Sequence, residues 1–148
     1  MFKHALIIDP SPADTKEIKQ ALLHLGTEKV TVAGRSTIGI EELRTGHKPF
    51  FDVIILDIEQ PDAGDIEAVL NIRKEVKATE IPLVVLYHGE LDARVMFRCL
   101  INGADEFVSK QRFLSAQMNG LLLMACQRRK SRKTYPPRPP RKVRLRLR

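Results

Sequence analysis

Residues 52–57 read Asp-Val-Ile-Ile-Leu-Asp, four consecutive aliphatic side chains closed at each end by an acid. A strand with one wet face alternates apolar and polar residues. An unbroken apolar run of this length is instead the pattern of a parallel strand covered on both faces. Working outward, the same pattern recurs. Ala5 to Ile8 runs into Asp9, Val30 to Ala33 is a β-type run, and Pro82 to Leu86 is a fourth apolar run ending at Tyr87. Glu106 to Ser109 is a short fifth one, ending at Lys110.

The segments between these runs carry helical spacing. Ser11-Pro12-Ala13-Asp14 reads as a helix start, with Ser11 as cap, Pro12 at the first helical position and an acid facing the helix dipole. Ile18, Leu22 and Leu25 follow at helical intervals, and Gly26 is placed to end the helix. Ile38 to Leu43, the segment around Ile66, Val69, Leu70 and Arg73, and Asp92 to Asn102 read as further helices. A last helix is expected to carry Leu114, Met118, Leu121 and Ala125 on one face. Five strands alternating with five helices predict an α/β, doubly wound fold: a five-stranded parallel sheet with helices on both faces.

The net charge of +7 divides unevenly. Residues 128–148 hold 11 of the 25 Lys and Arg and none of the 18 acids, which leaves the preceding residues at 14 basic against 18 acidic groups, a net of −4. The expected organisation is a globular body over 1–127 and a basic Pro/Arg-rich tail or linker over 128–148. The two cysteines, Cys99 and Cys126, lack metal-type spacing and read as reduced thiols. No apolar stretch approaches a membrane span, so the expectation is a cytoplasmic protein without membrane contact. The histidines at 4, 24, 47 and 88 are scattered without ligand spacing, and only His88 lies near a strand end.

In an open parallel sheet, reactive groups gather beyond the carboxyl ends of the strands. That rule selects Asp9, Asp57, Tyr87 with His88, and Lys110. Two carboxylates can hold a hard divalent cation through oxygen, and an ammonium beside them can neutralise an anion.

The blocks LIID at 6–9, DVIILD at 52–57, IPLVVL at 81–86 and NGADEFVSK at 102–110 resemble, in order and spacing, those of the two-component response-regulator receiver family. The resemblance covers about residues 3–127. It implies the flavodoxin-like strand order 2-1-3-4-5 (the handful of folds with this order includes a receiver protein). It further implies that Asp57 is the phosphoacceptor, that Lys110 pairs with the phosphoryl group, and that Tyr87 and Phe107 hold the switch positions. Mg2+ would be held by Asp9, Asp57 and the backbone carbonyl of Glu59, with Pro61 and Gly64 in the loop that follows. The implied partners are a histidine kinase or phosphotransfer protein and a downstream protein target, with a homodimer through the face at 92–126 as a further option. A receiver of this kind is not an enzyme with a turnover substrate.

The sequence departs from the family's pattern at three places. Pro10 stands where a second consecutive acid is a direct metal ligand, which predicts weak Mg2+ binding. Tyr87 replaces the serine or threonine that donates to the phosphoryl group, and Gln111 replaces a common proline. Two alternatives therefore stay open beside phosphorylation of Asp57. One is a pseudo-receiver that docks partners without phosphorylation. The other is polyanion or nucleic-acid binding through the basic tail, by phosphate contacts that carry little sequence information. The tail itself reads as a helix extension, then polyproline II from Tyr135 to Pro140, then an apolar–basic alternation over 143–148.

Overall fold

The computed structural model describes residues 2–46, 48–58 and 63–134. Its elements alternate as the apolar runs predict: β1 (His4–Ile8), α1 (Pro12–His24), β2 (Lys29–Ala33), α2 (Ser36–Thr45), β3 (Val53–Ile58), α3 (Ala63–Lys74), β4 (Leu83–Tyr87), α4 (Ala93–Ile101), β5 (Glu106–Ser109), α5 (Lys110–Phe113) and α6 (Met118–Thr134). A 3-10 turn at Val76–Ala78 precedes β4. All four strand pairings are parallel, in the order β2-β1-β3-β4-β5.

Side-chain alternation along the strands builds two separate cores. Leu6, Ile8, Ile54, Leu56, Leu83 and Val85 face one way, against Leu43, Val69, Ile72, Val95 and Cys99 of α2, α3 and α4. Ala5, Ile7, Val53, Ile55, Val84 and Leu86 face the other way, against Ile18 and Leu22 of α1 and Leu121, Leu122 and Ala125 of α6. Every residue of β1 and β3 is buried, which is why Ala5–Ile8 and Val53–Leu56 are unbroken apolar runs while β2 at the sheet edge is not.

Local signals act as expected at α1. Ser11 accepts from the Asp14 N–H, Pro12 opens the helix, and Gly26 leaves it at φ 96°. Gly103, after α4, has φ 119°, and a Cβ there would stand 2.5 Å from Arg73 Cγ. Both the backbone angle and the close approach require glycine at this turn. His4 is buried and satisfied: Nδ1–H donates to the Pro49 carbonyl at 2.8 Å, Nε2 meets Thr31 Oγ1 at 2.6 Å, and the ring stacks on Phe51.

Two expectations need correction, and others fall outside the described residues. The last helix is not continuous from Leu114. The Ser109 hydroxyl caps a single turn, α5, and Ser115 turns the chain before α6 begins, so Leu114 lies between the two helices. Gly64, expected in the loop after β3, lies in the first turn of α3. The proposed roles of Glu59 and Pro61, and the tail from Tyr135 to Arg148, lie outside the described residues.

The division between 127 and 128, drawn from charge, falls inside α6. The helix runs through it to Thr134, and its basic turn is bonded to the body. Asp105, fully buried at the entry to β5, accepts from Arg73 of α3 at 2.7 Å, from Arg129 at 2.8 Å and from Arg132 at 3.4 Å. It also accepts the Leu83 N–H at 2.9 Å, and Arg128 pairs with Glu106 at 2.8 Å.

Candidate functional site

β1 and β3 are neighbours in register, Ile8 beside Leu56, so the residues that follow, Asp9 and Asp57, emerge side by side at the carboxyl rim of the sheet. Lys110 opens α5 directly after β5, with Ser109 as its cap, which fixes where its side chain starts. The side chain crosses the rim, and its ammonium reaches Asp9 Oδ2 at 2.8 Å, Asp14 Oδ2 at 2.7 Å and Asp57 Oδ2 at 3.3 Å. Asp9, Asp57 and Lys110 are all buried. Three carboxylates and one ammonium thus share one pocket, and the sequence-selected trio converges there.

One member, Asp14, was not selected from the sequence, and His88 was selected only for lying at a strand end, without the contact it makes. Asp14, read only as an acid complementing the α1 dipole, reaches Lys110 from the first turn of that helix. His88, one residue past β4, places Nε2 2.8 Å from Asp57 Oδ1. An ionised carboxylate oxygen only accepts, so Nε2 carries the hydrogen in this contact. The signal that could have found it is positional, because Leu86 pairs with Asp57 in the β3–β4 register and His88 lies two residues beyond.

The chain was compared with known families and structures. The family model for the response regulator receiver domain matches residues 5–122. The chain belongs to the response-regulator receiver family. This receiver is 27% identical over 107 residues to the two-component response regulator ORR5 of Oryza sativa subsp. japonica, covering 72% of this chain and 77% of that protein. It is 32% identical over 106 residues to the protein-glutamate methylesterase/protein-glutamine glutaminase of Treponema pallidum (strain Nichols), a match that covers 71% of this chain but 25% of that protein. Among solved structures, the CheY-like receiver domain protein of Methanospirillum hungatei JF-1 superposes with TM-score 0.70 at 21% identity, over 88% of this chain and 99% of that one. The receiver domain of the histidine kinase CKI1 from Arabidopsis thaliana, complexed with Mg2+ and BeF3−, superposes with TM-score 0.66 at 20% identity, over 83% and 89%. Receiver domains are in general signalling modules rather than enzymes, and they work with histidine kinases or phosphotransfer proteins.

In this receiver, burial raises Asp57 above the ordinary carboxylate value of 3.8 to about 6, and the charge of Asp9 adds to the rise. Lys110 and His88 pull the other way. Burial alone would lower Lys110, but its hydrogen bonds to Asp14 and Asp9 outweigh that and hold it above the usual lysine value. Asp14 is lowered, first by its hydrogen bond from Lys110. Among the described residues Asp57 Oδ2 is buried without a hydrogen bond: Lys110 lies within ion-pair distance but off hydrogen-bond alignment.

Tyr87 and Phe107, expected as switch positions, stack on one another with ring centroids 4.9 Å apart and planes 10° apart. Both pack against the core formed with α3 and α4. The Tyr87 ring is thereby held in the aromatic pair.

Receiver domains generally bind Mg2+, an ion that requires several oxygen donors free to ligate it. Asp9 Oδ1 accepts the Ser11 N–H at 2.9 Å, Asp9 Oδ2 and Asp14 Oδ2 are bonded to Lys110, and Asp57 Oδ1 is bonded to His88. Pro10 supplies no side-chain oxygen. Among the described residues no group of three or more His, Cys, Asp and Glu could hold a metal ion. Mg2+ demands near-octahedral oxygen ligation, and the two carboxylate oxygens left without a hydrogen bond among the described residues, Asp57 Oδ2 and Asp14 Oδ1, do not provide it. The described residues do not fit a tightly held Mg2+.

Proposed function

We propose that this receiver accepts a phosphoryl group on Asp57 and signals through altered protein–protein contacts. The single observation that carries the reading is the state of Asp57 Oδ2, a buried carboxylate oxygen with no hydrogen bond among the described residues, 3.3 Å from the Lys110 ammonium. An oxygen in this state keeps its lone pairs for attack, and an ammonium at that distance can neutralise the charge of an incoming phosphoryl group. In the step, Oδ2 forms a bond to phosphorus while the bond from phosphorus to the donor breaks. A phosphohistidine donor leaves with the electron pair on its ring nitrogen, which takes a proton from solvent to give neutral imidazole, and acetyl phosphate leaves as acetate. The product is an aspartyl phosphate, and positioning supplies most of the rate.

The phosphorylated aspartate would compete for Lys110, which pulls on α5 and β5 and so on the Tyr87–Phe107 stack. The face at 92–126 is suited to carry the output, because Phe97 and Ile101 of α4 are each 64% exposed and Leu123 of α6 is half exposed. Phe97 and Ile101, one turn apart on α4, lie on one helix face, and apolar side chains exposed in this way fit a docking surface.

Incubation with acetyl phosphate, with and without Mg2+, followed by intact-mass measurement, tests the proposal. The expected result is a single phosphate adduct on the wild type and none on Asp57→Asn. A second reading, a phosphorylation-independent docking module, is favoured by Pro10 and by the His88 bond to Asp57. It predicts no adduct from any donor.

A further inference from the structure

We propose that His88 stands in for the divalent cation at Asp57, and that its imidazole, together with the missing acid at position 10, keeps metal ions out of the pocket. The inference concerns metal rather than phosphate, so it goes beyond the reading above and can hold or fail independently of it.

The pocket holds Asp9, Asp14 and Asp57 against Lys110, an excess of negative charge that ordinarily draws a cation. The structure answers that excess with its own side chains. Lys110 spans all three carboxylates, and the His88 N–H covers Oδ1 of Asp57, the one oxygen of that group that is not turned toward Lys110. A metal ion ligated by Oδ1 along the same direction would have to displace the ring, since both need the same lone pair at short range. The His88 side chain is 37% exposed, so displacement is sterically open but loses a hydrogen bond to a buried carboxylate. Asp14 is a poor substitute for the acid absent at position 10, because Lys110 holds its Oδ2 at 2.7 Å and so ties the carboxylate to the ammonium.

Two obstacles therefore act in series, and they are separable by mutation. Pro10 is exposed and precedes α1, so an aspartate fits there without disturbing the core. Restoring that acid supplies a ligand but leaves the ring in place. Removing the ring as well uncovers Oδ1. His88→Gln keeps a side-chain N–H in reach of Asp57, so it distinguishes the hydrogen bond from a general loss of structure.

Mn2+ alone, titrated into the full chain and followed by its free-ion electron paramagnetic resonance signal, is the probe. The expected result is no saturable site in the wild type at sub-millimolar Mn2+. Pro10→Asp should gain a weak site, and Pro10→Asp/His88→Ala should bind Mn2+ about tenfold more tightly than Pro10→Asp. Pro10→Asp/His88→Gln should stay close to Pro10→Asp. Equal Mn2+ affinity of Pro10→Asp and Pro10→Asp/His88→Ala overturns the proposal, as does saturable sub-millimolar binding by the wild type. Unchanged circular dichroism of each variant establishes that the comparison is between folded proteins.

Discussion

Asp105→Ala is expected to destabilise the protein by about 3–5 kcal/mol, a large share of the 5–15 kcal/mol that holds a typical domain together. The carboxylate is fully buried and serves three guanidinium groups from two helices. Arg73 is the most enclosed of the three, with its side chain 9% exposed. Burial, and then the charge of Arg129, push it down to about 10, while Asp105 is the main influence in the other direction. Without Asp105 a buried cation loses its counter-charge and the Leu83 N–H loses its acceptor, so two penalties arise together. The carbonyls of Ala78, Ile81 and Gly103 still accept from Arg73, which keeps the cost from growing further. Urea denaturation measures it. Arg132→Ala is the control: its contact is the longest and its side chain is 36% exposed, so about 1 kcal/mol or less is expected. Equal losses in the two variants would contradict the central place given to Asp105.

Asp57→Asn is expected to stabilise the unphosphorylated protein at neutral pH, by about 2 kcal/mol or roughly 5 °C in Tm. Asp57 titrates near 6 in the fold against an ordinary value of 3.8, so the folded state binds the proton more tightly than the unfolded chain does. The sign follows from that. Above pH 6 both states are ionised and the full penalty of a buried carboxylate is present. As the pH falls from 6 toward 3.8 the folded state takes up its proton first and the penalty is relieved. Asparagine keeps an acceptor for His88 and removes the charge. Its advantage should therefore be greatest at pH 7.5 and small near pH 4. Asp14 behaves oppositely: its lowered value means that stability it contributes is lost as the pH falls below 3.8. A Tm difference between Asp57→Asn and wild type that does not depend on pH would show that charge is not the cause.

Much of this was legible in the sequence for a physical reason. A strand buried on both faces has no freedom to include polar residues, so Val53 to Leu56 and Leu83 to Leu86 announce themselves, and the residues just past them must lie at one rim. The convergence of Asp9, Asp57 and Lys110 follows from that geometry. The bond from His88 to Asp57 and the role of Asp14 were hidden because they depend on register and on helix phase, which neighbouring residues do not encode. Arg129 and Arg132 were hidden inside a run of positive charge that reads as solvated, because their partner Asp105 stands more than 20 positions earlier. The break between α5 and α6 was missed because Leu114 fits the helical period of the residues after it, while the Ser109 cap and the Ser115 turn act over a few residues only.

The most direct test of the central claim is to locate the phosphoryl group chemically. An acyl phosphate is reduced by borohydride to an alcohol, which converts a phosphorylated aspartate to homoserine. After incubation with acetyl phosphate and reduction, peptide sequencing by mass spectrometry should find homoserine at position 57, with Asp9 and Asp14 unaltered. Homoserine at position 9 or 14, or aspartate retained at all three, would contradict the account.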